Sequence, residues 1–168
     1  MSLTNTEIEY LCTYLKIPLV ACCLQHELET MKVKDGGYVI NYGSYENGGT
    51  HYIALYKMGD SCVVFDSFGA PIDLTVLHFI RSVKNKAYNE WIIQDVNDDH
   101  CGFYCCAFLY YCMQSTNPDQ LIPNANNFIN LFESENNLER LKIIFNKYII
   151  NPAHIPYFDK NIYKKIKK

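Results

Sequence analysis

Gln94-Asp-Val-Asn-Asp-Asp-His-Cys101-Gly-Phe-Tyr-Cys105-Cys106-Ala-Phe-Leu109 is the stretch on which the reading of this chain turns. A polar, acidic loop runs straight into an apolar segment, and a cysteine stands at the junction. The apolar segment from Gly102 to about Ser115 predicts a helix that is apolar nearly all round and therefore buried against a sheet. A thiol at a helix N-terminus feels the positive end of the macrodipole, which favours the thiolate. The thiolate is the nucleophile that a cysteine hydrolase needs. Gln94, seven positions before Cys101, is a candidate to donate its side-chain N–H to a developing oxyanion. The Cys101 backbone N–H, unpaired at a helix start, would be the second donor.

Two more groups lie upstream. His51-Tyr-Ile-Ala-Leu-Tyr-Lys57 and Ser61-Cys-Val-Val-Phe-Asp66 are rich in β-formers, with Met58-Gly-Asp60 as the turn between them. If Lys57 pairs with Asp60, His51 stands directly opposite Asp66. If Lys57 pairs with Cys62, the two are diagonal neighbours. Both registers put the two side chains on one face, about 5 Å apart in the first case and about 7–8 Å in the second. An even register would separate them. The roles follow from chemistry: Cys101 attacks a carbonyl, His51 moves its proton, and Asp66 orients the ring and stabilises the imidazolium.

Each residue also has an ordinary structural reading. His51 alone is a surface or core histidine, Asp66 before Ser-Phe-Gly opens a turn, and Gln94 ends a strand. Order and register are what make them a site. His100 touches Cys101 in sequence, but neighbours at a helix start diverge, so it is the poorer base. His26, His78 and His154 have no acidic partner at a telling spacing.

Around this core, Thr4-x-x-Glu7 is a capping box opening a helix through Ile8, Leu11, Cys12 and Leu15, closed by Pro18. Residues 20–31 predict a short helix carrying Leu24, Leu28 and Met31. Tyr38-Val-Ile-Asn-Tyr42 reads as a strand, and residues 43–50 as a polar loop. Asp73 caps a helix through Leu74, Leu77, Ile80 and Val83. Trp91-Ile-Ile-Gln94 reads as another strand. Leu138, Leu141, Phe145 and Tyr148 mark a last amphipathic helix, stopped near Pro152. The expected fold class is α+β: a small central mixed sheet flanked by helices, with Cys101 at the N-terminus of a buried central helix.

The 168 residues read as one domain, 1–168, with a basic tail over 160–168 holding five lysines. Hydrophobic residues make up 49% and charged ones 20%, which suits a globular chain. The longest apolar run, residues 103–113, is too short for a bilayer, where about 20 residues are needed. No basic-then-apolar leader opens the sequence, so a cytosolic product is expected, not a secreted one. Eight cysteines fall below a disulfide scaffold's share, and Cys12, Cys22, Cys62 and Cys112 read as buried reduced thiols. A net charge of −3 argues against a general nucleic-acid binder; only the lysine-rich tail offers a weak phosphate contact. A metal or interaction module using His100, Cys101, Cys105 and Cys106 is the non-enzymatic alternative. The spacing lacks the C-x-x-C of most zinc sites, so neither metal nor cofactor is expected.

The matching pieces resemble the adenain-like cysteine proteases of DNA viruses, which share a fold with the SUMO-specific and related ubiquitin-like proteases. They are Gly48-Gly-Thr-His51-Tyr, Val63-Val-Phe-Asp66-Ser-Phe-Gly69, Gln94, and Cys101-Gly-Phe-Tyr-Cys-Cys-Ala-Phe-Leu109. The compact size is similar to that of virophage proteases. The resemblance implies a monomeric thiol endopeptidase with His51, Asp66, Gln94 and Cys101 as catalytic residues. Its substrates would be capsid precursors cut at Gly-Gly-X or Gly-X-Gly sites during virion maturation. Its place would be the virion and the reducing cytoplasm of an infected cell. An isopeptidase acting on SUMO- or ubiquitin-like modifiers is the alternative. Tyr52 replaces the tryptophan that often follows the family's histidine. Residues 83–93 hold no cysteine to take a disulfide-linked activating peptide.

Overall fold

The computed structural model describes residues 2–43 and 51–146. The Gly48-Gly-Thr50 motif, most of the expected 43–50 loop, Tyr148 and the basic tail lie outside the described residues. The elements are α1 (Asn5–Tyr14), β1 (Leu19–Leu24), β2 (Gly36–Asn41), β3 (Tyr52–Met58), β4 (Ser61–Phe65), α2 (Leu74–Phe79), β5 (Asn85–Tyr88), α3 (Cys101–Met113), α4 (Leu121–Ile129) and α5 (Asn137–Ile144). The fold is α+β around a five-stranded mixed sheet in the order β1-β2-β3-β4-β5. The two outer pairings are parallel and the two inner ones antiparallel.

The sheet is covered on both faces, which is why its middle strands carry apolar side chains on both sides. Tyr52, Ala54 and Tyr56 of β3 and Val63 and Phe65 of β4 face the layer that holds α1, α3, α4 and α5. Ile53, Leu55, Cys62 and Val64 face α2 and the 3-10 turn Gln25–Thr30. In the first layer Phe65 stacks on Phe108 of α3 at 4.8 Å, and Phe128 of α4 closes on both rings edge-on. The α3 residues from Cys101 to Leu109 are all buried, as the apolar run predicted. Gly102 lets α1 approach this closely: a Cβ there would meet Leu3 and Ile8 side chains at 3.2–3.3 Å. No helix among the described residues is long and apolar enough to cross a membrane.

The expected Thr4–Glu7 capping box forms. The Thr4 N–H donates to Glu7 Oε2 at 2.7 Å, and the Glu7 N–H donates to Thr4 Oγ1 at 3.3 Å. Asp73 caps α2 through the Thr75 N–H at 2.7 Å, although α2 ends at Phe79, short of Val83. Leu141 and Phe145 of the last helix are buried as expected.

Two assignments are corrected. The expected helix over 20–31 is a strand, β1, followed by the 3-10 turn. Ala21, Cys22 and Cys23 pair in parallel with β2, so sheet pairing overrides the helical spacing of Leu24, Leu28 and Met31. The expected strand Trp91–Gln94 is irregular, with Trp91 and Ile92 exposed. The fifth strand is instead Asn85–Tyr88, a mostly exposed edge whose polar residues hide the pattern. The chain leaves the sheet after Tyr88 because Asn89 clamps Asp66. Its Oδ1 accepts the Asp66 N–H at 2.9 Å and its Nδ2 donates to the Asp66 carbonyl at 2.6 Å.

Gly69 sits where this clamp turns the chain. Its φ is +61°, and a Cβ there would lie 2.7 Å from the Trp91 carbonyl group. Gly69→Ala is expected to lower stability by more than about 1 kcal/mol, read as a lower urea midpoint with an unchanged slope.

Candidate active site

The hairpin takes the second of the two registers. Lys57 pairs with Cys62 and Ala54 with Phe65. His51 immediately precedes β3 and Asp66 immediately follows β4, so they are diagonal neighbours at the end of the sheet. Their side chains bridge that diagonal: His51 Nε2 lies 2.7 Å from Asp66 Oδ1. A carboxylate only accepts, so Nε2 carries the proton and Nδ1 is left as the ring's basic nitrogen. Nδ1 is buried without an aligned hydrogen-bond partner. The Cys101 group acts on the ring both as a hydrogen-bonding neighbour and as a charge. The thiol is therefore within interaction range of the imidazole.

Burial by itself would lower the His51 pKa. The hydrogen bond to Asp66, then that to Cys101, and the charges of both more than reverse this, and the value is pushed up to about 9. Phe68 leans on the ring with centroids 4.7 Å apart, and the Tyr42 N–H donates to the His51 carbonyl at 2.8 Å. Asp66 is itself fixed, since its Oδ1 also accepts the Phe68 N–H at 2.8 Å.

Cys101 is the first residue of α3 and is buried. The His100 carbonyl accepts the Phe103 and Tyr104 N–H groups at 2.9 and 3.1 Å. The N–H groups of Cys101 and Gly102 belong to the first helical turn, which has no intrahelical acceptor to offer them. An oxyanion beside Sγ would find them there.

Gln94 is 1% exposed and tied on both sides. Its Oε1 accepts the Ser67 hydroxyl at 2.6 Å, and its Nε2 donates to the Asp98 carbonyl. The Asp98 carbonyl is a pure acceptor, so the nitrogen end of the amide must face the 95–100 loop, leaving one further N–H. The Ile93 and Gln94 backbone N–H groups both donate to the Ser67 carbonyl, at 2.8 and 2.9 Å. Gln94 thus links the residue after Asp66 to the loop before Cys101. His100 is turned to its own loop, where Nδ1 contacts the Asp98 carboxylate and lies 3.4 Å from Asp99 Oδ1.

Cys105 and Cys106, the other members of the metal-module alternative, are fully buried. Cys105 Sγ points to the Tyr52 carbonyl at 3.4 Å, and Cys106 Sγ faces Cys12. His100, Cys101, Cys105 and Cys106 therefore serve four different partners. A pocket of about 440 Å³ opens beside the nucleophile loop, lined in part by Ile92, Gln94, Asp95, Val96 and Asp98.

Ser67, Asn89, Phe68 and Asn137 were not singled out from the sequence. Asn137 Nδ2 donates to the Ile93 carbonyl at 2.9 Å, and so holds the approach to Gln94 from α5. The one available signal was the Asp66-Ser-Phe-Gly run, where a small polar residue follows a candidate acid. Nothing local marks Asn89 or Asn137.

The structure thus brings a histidine–aspartate pair and a helix-start cysteine together at one end of a mixed sheet. Neither protein-family models nor curated proteins give a match to this chain. Among solved structures, the fold is similar to the crystal structure of the selenomethionine ASFV pS273R protease, with a TM-score of 0.50 and 15% identity. The match covers 80% of this chain and 69% of that one. What the two share is the fold.

The raised His51 value sets the sign of a pH effect. The stabilisation from a charged His51 is complete below the ordinary value of 6.5 and is lost as pH rises through about 9. In an NMR titration the His51 ring is expected to titrate near 9. Asp66→Asn should move that midpoint down, and a midpoint unchanged by the substitution would break the assignment of Asp66 as the ring's main partner.

Proposed function

We propose that this protein is an adenain-like cysteine endopeptidase that cleaves viral capsid precursors during virion maturation, at Gly-Gly-X or Gly-X-Gly sites. The observation that carries the catalytic part of the reading is the 2.7 Å His51–Asp66 bond, with Cys101 acting on the same ring from the start of α3. The ordered motifs in the sequence support the substrate class.

In this reading Cys101 Sγ attacks the scissile carbonyl carbon and its proton resides on His51. The oxyanion is held by the Cys101 backbone N–H, with the remaining Gln94 N–H as the second donor. His51 protonates the leaving amine, which departs and leaves a thioester on Cys101. Water, deprotonated by His51, hydrolyses the thioester and restores the thiol. Asp66 keeps the ring in the tautomer that presents Nδ1. Substrate is polypeptide, and the enzyme acts as a monomer without metal or cofactor, in the virion and the infected cell's reducing cytoplasm. The lysine-rich segment 160–168 contributes at most a weak phosphate contact.

The test is incubation with candidate capsid precursors and sequencing of the new N-termini, with SUMO and ubiquitin conjugates in parallel. Cleavage of conjugates alone would transfer the substrate to the isopeptidase class. Cys101→Ala is expected to abolish turnover with the fold intact. His51→Ala should be nearly as damaging and His100→Ala mild; the reverse ranking would sink the base assignment.

Gln94→Ala is expected to lower kcat by roughly 10²–10³, more than it moves KM. Because it leaves the Ser67 hydroxyl and the Asp98 carbonyl unpaired in a buried place, it should also cost about 1–3 kcal/mol of stability. Ser67→Ala removes the same hydroxyl but keeps the amide. It should lower kcat less than Gln94→Ala, a ranking that kinetics on the two purified variants would check.

A further inference from the structure

Cys12 and Cys106 take no part in the site, yet their sulfurs lie 3.9 Å apart. Both residues are fully buried, Cys12 on α1 and Cys106 on α3, 94 positions apart in the chain. We propose that this pair is a site of covalent modification: in the presence of an oxidising small-molecule disulfide, Cys12 and Cys106 join as a disulfide that staples α1 to the helix carrying Cys101.

The geometry is close to what the bond needs. A disulfide sets its sulfurs ~2.05 Å apart, so each has to move by about 1 Å. Both helices belong to one packed layer, and α1 can supply that shift because only Ile8, Leu11 and Cys12 of its ten residues are buried. The other thiols are placed differently. Cys105 is aimed at the Tyr52 carbonyl, and Cys101 belongs to His51. Cys106 is influenced by Cys12 before any other group, and Cys101 is not among the groups that act on it. The staple is therefore separate from the nucleophile.

The chemistry balances with oxidised glutathione as the acceptor. One thiol loses its proton and attacks the glutathione disulfide, releasing one glutathione thiol and leaving a mixed disulfide. The second protein thiol loses its proton and displaces the other glutathione. Two protein thiols give up two electrons and two protons, and one small disulfide becomes two thiols. Access comes from local opening of α1, which holds to its layer through only three buried residues. The Cys12 contact, and then burial, push the Cys106 thiol well up, so few thiolates are present and the reaction is slow at neutral pH and faster in alkali. These are the traits of a structural bond acquired outside a reducing compartment, one that restricts the unfolded chain over a long loop.

The experiment uses the full chain with Cys101→Ala, which removes mixed disulfides at the proposed nucleophile. The protein is equilibrated with oxidised glutathione at mildly alkaline pH, denatured, alkylated, digested without reduction and mapped by mass spectrometry. The expected product is a linked pair of peptides containing Cys12 and Cys106, lost on reduction. It should accompany a Tm rise of roughly 5–10 °C that reduction reverses. Cys106→Ala should abolish the linked pair and the rise, and Cys105→Ala should keep both. Recovery of Cys12 and Cys106 as alkylated thiols would overturn the proposal, as would finding either one joined to Cys22 or to glutathione. If Cys106→Ala does not fold, the peptide map of the parent protein decides alone.

Discussion

The hydrogen bond between His51 and Asp66 depends on the register of one hairpin, and much of the fold serves to hold that register. A slip of one residue would send Ile53, Leu55, Cys62 and Val64 to the wrong layer. In a one-sided sheet that exchange would expose half of the strand. Here β3 and β4 are buried on both faces, so a slip instead misfits two packed layers at once. The two-residue turn, with Gly59 at a φ of +55°, fixes the same register locally. The pair sits at the opposite end of the hairpin from the turn, where the strands end and the ring can reach outward. Rigidity comes from the strands and access from their ends.

The second constraint is a small polar knot built on Asp66, Ser67 and Phe68. Asp66 takes the imidazole and the Phe68 N–H, Asn89 grips the Asp66 backbone, and Ser67 holds both the backbone and the side chain of Gln94. Asp66 and the loop that leads to Cys101 are thereby parts of one network. Such buried polar groups are favourable only when each finds its partner. Ser67, with no exposed surface, and Gln94 meet that demand through each other. The same knot explains why the chain departs from the sheet after Tyr88 instead of adding a longer fifth strand.

Legibility in the sequence follows how local the physics is. The hairpin, the Thr4 box, the Asp73 cap and the apolar Cys101 helix are set by neighbours within a few residues, and each was readable. The parity argument for His51 and Asp66 needed a short turn with Lys57 paired to Asp60 or Cys62, and the second pairing is the one that forms. Strand β1 was misread because Leu24, Leu28 and Met31 have helical spacing, while its strand character comes from pairing with β2. Strand β5 was missed because Asn85 and Lys86 face solvent and Ala87 is small. Trp91 and Ile92 look like strand residues and are instead exposed. Ser67, Asn89 and Asn137 act over 27, 23 and 44 positions in sequence, and no spacing rule reaches that far.

The two histidines that compete for the role of base show how placement outranks proximity. His100 is the nearer in sequence to Cys101, and it too has a carboxylate partner in Asp98. That partner comes from its own loop, and the His100 N–H donates to the same Asp98 oxygen at 2.9 Å. The pair closes a short ring that shapes the approach to α3, a task of loop geometry. His51 receives its carboxylate from the end of a different strand, which fixes Nε2 and leaves Nδ1 as the ring's basic nitrogen. The thiols of Cys22, Cys62 and Cys105 show what burial does to this group: all three are pushed up, Cys22 and Cys62 to about 12, and Cys62 is pushed up although Lys57 and Lys86 act against it. Cys101 is buried like them, and its place differs: it starts α3 and acts on the His51 ring. The nucleophile role proposed for Cys101 therefore requires the hairpin to be in register, because that register is what brings His51 to Asp66.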